Sequence, residues 1–222
     1  MQTHNSATIL YELQQILIQI KNSSELSDIE QRQLANDLSK HGLNLLHYAL
    51  FAMENNQLKL DFTSVSAAAA LYDVTQDIKP LASNYNIEMH FNASPNLEPV
   101  YTNEQYLKGS IYGLLAGIIT GNNHNRDTVK LTVTVQQTKP FIQRIGVYSD
   151  SALITTKLVR PVKTTRVTRM TRPEITHTSG LGFTVSQLLT ERLQAHFEPF
   201  CHKNNKGIGF YLAESKQLSL IN

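Results

Sequence analysis

Apolar side chains at Ile9, Leu10, Leu13, Ile16, Leu17 and Ile20 recur in steps of three and four, which puts them on one face of a helix over residues 7–21. The stretch NSSELSD at 22–28 interrupts this spacing with residues that favour turns and helix caps. A second helix is predicted from about Ile29 to Gln57. Its best seam is Leu34, Leu38, His41, Leu45, Tyr48 and Ala52, in steps of four and three, and Leu43, Leu46, Leu50 and Met53 form an adjoining stripe. A helix apolar over so wide an arc has more to bury than one hairpin partner can cover. Two hairpins pairing into a four-helix bundle would bury it, so a homodimer is expected.

After residue 61 the pattern changes. A helix is predicted over 64–82, with Ser64 or Ser66 as cap and AAAALYDV in its body. Ile87, Met89 and Phe91 alternate with polar neighbours, as do Leu131, Val133 and Val135, and Ile142, Ile145 and Val147 suggest a neighbouring strand across a turn containing Pro140. Thr102-Asn103-Glu104-Gln105 has capping-box spacing and opens a helix reaching about Ile119. Gly180-Leu181-Gly182 reads as a turn leading into a helix that continues to about Ala195, and 207–212 closes a sheet. The fold class is therefore α+β. A helical hairpin over 1–61 is followed by an α/β sandwich over 62–222, with mainly antiparallel strands.

Composition narrows the function classes. The chain has 222 residues, of which 41% are hydrophobic, enough for a packed core. A formal charge of +2 gives no general attraction to nucleic acid or membrane, and the one cysteine, Cys201, excludes an internal disulfide framework. No apolar run approaches the roughly 20 residues that span a bilayer, so no membrane partner and a cytoplasmic location are expected. His196, Glu198, Cys201 and His202 match no zinc spacing, and no metal site is expected. There is no Ser/His/Asp signature and no Walker-type glycine loop.

The order of segments resembles a sensor histidine kinase core, a dimerisation hairpin followed by a Bergerat-type ATP-binding domain, over nearly the whole chain. Leu10-Tyr11-Glu12-Leu13-Gln14-Gln15-Ile16-Leu17 resembles the family's H-box pattern H-E-L-R-T-P-L. Ser179-Gly180-Leu181-Gly182-Phe183, followed by TVSQLLTERL, resembles the G2 box and its helix, and KGIGFYL is similar to the last sheet strand. A helix N-terminus with free backbone N–H groups suits an anion in any fold.

The resemblance breaks at the residues that do the family's chemistry. Its phosphoacceptor histidine is here Tyr11, a phenol of pKa about 10 that forms no labile phosphoimidazole. In LKGSIYGLLAGIIT the N-box asparagines are replaced by Gly113 and Gly117, which offer no side-chain oxygen to magnesium. The D-box aspartate is replaced by Ser149, with Asp150 one residue out of register and so on the opposite face of a strand. His41, on the hairpin's second helix, is the weaker alternative phosphoacceptor. What the resemblance implies is thus a dimeric regulatory protein of a two-component-type pathway, without catalytic residues or a required cofactor, whose partner is a response regulator or other signalling protein. An active Mg-ATP-binding kinase or a histidine phosphotransferase is the alternative.

One further segment stands apart. KLVRPVKTTRVTRMTR places Lys157, Arg160, Lys163, Arg166, Arg169 and Arg172 at every third position, with no acidic residue among them. In an extended chain of about three residues per turn these charges line one edge. They suit phosphates or an acidic partner, which keeps a nucleic-acid-associated protein as a second alternative.

Overall fold

The computed structural model describes residues 17, 18, 20, 29–54, 61–121, 127–149, 180–202 and 205–215. Leu17, Ile18 and Ile20 are helical, and the rest of the expected first helix, Tyr11 included, lies outside the described residues. Helix α1 spans Ile29–Glu54, in the place predicted for the second helix. It is followed by β1 (Thr63–Val65), α2 (Ala67–Asn84), β2 (Ile87–Ala93), β3 (Val100–Thr102) and α3 (Glu104–Gly121). Then come β4 (Val129–Lys139), β5 (Ile142–Ser149), α4 (Gly180–Arg192), β6 (Glu198–His202) and β7 (Asn205–Ala213).

Five strands form one sheet in the order β2-β4-β5-β7-β6. β2 runs parallel to β4, and every other neighbour is antiparallel. Alternation along the strands aims Ile87, Met89, Leu131, Val133, Val135, Ile145, Val147, Ile208, Phe210 and Leu212 into one core. That core is completed by Val74, Ile78 and Leu81 of α2, Ile111 and Leu115 of α3, and Val185 and Leu189 of α4. β1 and β3 pair apart from this sheet, and a bridge between Val100 and Glu214 ties them to the chain after β7.

Local chemistry accounts for the boundaries. Ser66 caps α2, its side chain accepting from Ala69 N at 3.3 Å. At α3 the cap is Asn103 rather than the expected Thr102, with Oδ1 accepting from Tyr106 N at 3.1 Å. The β4–β5 hairpin turns at Phe141, whose φ of 63° is uncommon for a bulky residue. Strand β6, EPFCH, had no counterpart among the sequence expectations. Its Phe200 ring lies across the backbone of Gly207 on β7, beneath the Arg144 guanidinium 3.9 Å from the ring centroid. Among the described residues no helix is long and apolar enough to cross a membrane.

Candidate functional site

Gly109, Gly113 and Gly117 stand four residues apart on α3 and so share one helical face. With no side chains along that line, α4 lies directly on the backbone of α3. A Cβ added at Gly113 would sit 2.5 Å from Gly182 O and 2.9 Å from Ser186 N. One added at Gly182 would sit 2.5 Å from Gly113 O and 2.7 Å from Gly117 N. At Gly117 a Cβ would run into the Phe183 ring, and at Gly109 into Leu189 and the Tyr48 ring of α1. The contact is sealed by a hydrogen bond from Ser186 Oγ to Ser110 O. Phe183 is 8% exposed, and Val185 and Leu189 are fully buried.

The structure therefore brings together three of the predicted residues, Gly113, Gly117 and Gly182, as packing partners. The Gly180-Leu181-Gly182 segment is not a turn before the helix but the first residues of α4 itself. Ser149 lies elsewhere, at the end of β5, where its hydroxyl donates to Lys130 O at 2.8 Å. Asp150, Ser179 and the six basic residues Lys157, Arg160, Lys163, Arg166, Arg169 and Arg172 lie outside the described residues. Among the described residues no group of three His, Cys, Asp or Glu side chains is placed to share a metal ion. His202 stacks on Tyr148, with centroids 4.6 Å apart.

A second cluster lies where α1 crosses α3. Along the seam His41 and Tyr48 meet Tyr112 of α3, and Leu38, His41, Leu45 and Ala49 are buried, whereas Leu43 and Leu50 of the adjoining stripe are 67% and 48% exposed. Tyr112 of α3 anchors this crossing. Its hydroxyl is 3.2 Å from His41 Nδ1 and accepts from Asn44 Nδ2 at 3.3 Å. Tyr48 packs beside Tyr112, and Phe51 beside Tyr106, at centroid separations of 5.6 and 4.8 Å. Burial lowers the His41 pKa from 6.5 to about 4 and raises that of the Tyr112 phenol far above its usual value. His41 is thus a neutral ring inside a packed wall, not an exposed acceptor.

Phe183 and Ser186, present only within the stretch that resembles the G2 box, and Asn44 and Tyr112 were given no role from sequence. The four-residue glycine spacing on α3 was the one signal for the first pair, since a row of glycines on a helix marks a close neighbour.

The fold is that of a histidine kinase core. It is similar to the Acinetobacter baumannii histidine kinase AdeS, with a TM-score of 0.54 and 14% identity, covering 96% of this chain and 98% of that one. It is similar also to the catalytic domain of histidine kinase ThkA, with a TM-score of 0.52 and 15% identity over 70% of this chain and 97% of that one. A third likeness is to ThkA in complex with response regulator protein TrrA, with a TM-score of 0.54 and 14% identity over 96% and 61% of the two chains. No family model and no curated protein matches the chain.

Proposed function

We propose that this chain is a histidine-kinase-type scaffold that does no nucleotide chemistry and acts by binding partners. Those partners are a second copy of itself, through the hairpin, and a response regulator or comparable signalling protein. The observation that carries the reading is the glycine row of α3. Where the resemblance expects carboxamides to hold magnesium, Gly113 and Gly117 supply no oxygen, and the space beside them is taken by the α4 backbone and the Phe183 ring. A phosphate group with its metal needs several oxygen ligands and room for water, and these residues supply neither. Ser149, in the D-box register, donates its hydroxyl to Lys130 O and carries no carboxylate to accept from a base. Tyr11 in the acceptor register points the same way.

The partner class rests on likeness. ThkA has been solved in complex with response regulator protein TrrA, and the exposed Leu43 and Leu50 on α1 offer this chain an apolar stripe of the kind a bundle partner covers. Calorimetric titration with Mg-ATP is expected to give no saturable heat, and the melting temperature to stay unchanged by the nucleotide. A saturable heat that requires magnesium, or radiolabel from ATP recovered on a histidine, sinks the proposal.

A further inference from the structure

The crossing of α1 over α3 contains more polar chemistry than packing alone requires. Two polar groups of α1, His41 Nδ1 and Asn44 Nδ2, meet the one phenol oxygen of Tyr112 on α3 inside an aromatic and aliphatic wall. Asn44 donates to that oxygen, so the phenol hydrogen is free to go to His41 Nδ1, which then must be an unprotonated acceptor. The ring of His41 also lies against that of Tyr112, with centroids 5.9 Å apart. Outside the wall the contacts from α1 to α2 are exposed: Lys40 to Asp77 at 3.7 Å and Asn84 to Asp37 at 3.3 Å. Surface pairs of this kind contribute little.

We propose that His41, Asn44 and Tyr112 form an acid-sensitive latch: it holds α1 on the α/β unit, and loading His41 with a proton releases α1 as one piece while the sheet and its own helices stay folded. A proton on Nδ1 turns the acceptor for the Tyr112 hydroxyl into a donor and places a charge in a site closed to solvent. The charged and titratable groups that bear on the crossing are Tyr112 and Lys108 on α3, Asp77 on α2 and Tyr48 on α1 itself, with Asp73 of α2 bound to Lys108, Lys40 to Asp77, and His47 against the Tyr48 ring. Lys108 is engaged by Glu104 and Asp73 at 2.8 and 3.1 Å. Among the described residues no carboxylate pairs with His41 to offset the cost of its protonation, and burial is the cause of its lowered pKa.

Release has a structural consequence. Leu38, His41, Leu45 and Ala49, buried when the latch is shut, join the exposed Leu43 and Leu50 to make the wide apolar arc that a helical bundle would cover. The latch thereby chooses between a helix docked on its own domain and a helix free to pair with others. Nothing in this depends on whether a nucleotide binds.

Amide hydrogen exchange on the full chain, expressed as protection factors so that the intrinsic pH dependence cancels, tests the latch. Between about pH 7 and about pH 4.5, protection of α1 amides over 38–51 is expected to fall about fiftyfold while β4 and β5 hold theirs. In His41→Gln the fall is expected to vanish. Flat protection in α1, loss of α1 and the sheet together, or an unchanged pH response in His41→Gln overturns the proposal. Should that variant fail to fold, NMR titration of the wild-type imidazole carries the test. A midpoint well below the ordinary histidine value is expected, and an ordinary midpoint with α1 still protected overturns it.

Discussion

Helix α3 makes two unlike contacts on neighbouring faces. Toward α4 it offers glycines, and the two backbones come close enough that no extra atom fits between Gly113 and Gly182. Toward α1 it offers Tyr106 and Tyr112, large rings that meet Phe51, His41 and Tyr48 at aromatic distances. The first contact is fixed by what is missing and tolerates no addition. The second is fixed by what is present and should tolerate change of shape better than loss of a polar partner. The two faces also differ in what they leave for function. Between Gly113 and Gly182 the two backbones leave no space for an added atom, whereas the α1 contact has an exposed ion pair at its rim and a buried imidazole within.

The largest expected effect lies on the first face. Gly113→Ala puts a methyl against the carbonyl of Gly182 and the amide of Ser186, which are backbone and cannot step aside. Overpacking of this kind costs about 3 kcal/mol, and the better helix propensity of alanine returns only about 1 kcal/mol of it. Gly117→Ala meets the Phe183 ring instead, a side chain that can turn, so a smaller loss of about 1 kcal/mol is expected. Urea denaturation of the two variants decides it. Equal losses would mean that the α3–α4 spacing is not set by backbone contact at Gly113.

The second face should respond to pH before it responds to mutation. His41 has a lower pKa folded than unfolded, so the unfolded state takes up its proton first as pH falls. The stability this neutral ring contributes is complete above about 6.5 and is lost as pH drops toward 4, where the loss levels off. Between pH 7 and pH 5 the change is about 2 kcal/mol. Chemical denaturation at the two pH values, repeated in His41→Gln, measures the share that belongs to this ring. No difference between wild type and variant would remove His41 from the account.

How much of this could be seen in the sequence depends on which neighbour sets each feature. The β4–β5 hairpin was legible because alternation at Leu131, Val133 and Val135 is a local property of a half-buried strand. The periodicity of α1 was equally legible, but a stripe states which face is buried and not what covers it. Of the seam Leu34, Leu38, His41, Leu45, Tyr48 and Ala52, expected to face a bundle partner, His41 and Tyr48 meet Tyr112 of the chain's own domain. Strand β6 was missed because EPFCH carries little strand character by itself. Its place is set by Phe200 reaching over Gly207 to Arg144, residues far apart in sequence. At Gly113 and Gly117 the sequence showed only that asparagines were absent. That the glycines serve a helix contact needed α4, about 65 residues further on, to be placed.

Within the second face, losing the phenol hydroxyl comes next. Tyr112→Phe keeps the ring contacts with Tyr48 and His41 but leaves Nδ1 of His41 and Nδ2 of Asn44 without their shared partner. Asn44 is partly buried and can turn toward water, so most of the cost falls on His41, and a loss of about 1 to 2 kcal/mol is expected. The same substitution should change the pH dependence of stability seen in wild type, because the hydroxyl no longer needs an unprotonated acceptor. A Tyr112→Phe variant as stable as wild type, with an unaltered pH profile, would show that the crossing is held by ring packing and that the polar trio is incidental.

The smallest effect separates aromatic from electrostatic control of the crossing. Lys40 and Asp77 join α1 to α2 at 3.7 Å, but their side chains are 59% and 60% exposed. Water and salt screen a pair so open, and holding two long side chains in register costs entropy, so Lys40→Ala should change stability by less than about 0.5 kcal/mol. That small effect should shrink further on raising salt from about 0.05 to about 0.5 M, where the screening length falls from roughly 14 Å to roughly 4 Å. Tyr112→Phe, acting inside the wall, should be indifferent to the same change. If instead Lys40→Ala costs as much as Tyr112→Phe and the loss disappears in salt, α1 is held from its rim by charge. Protonating a buried ring would then be a poor way to let it go.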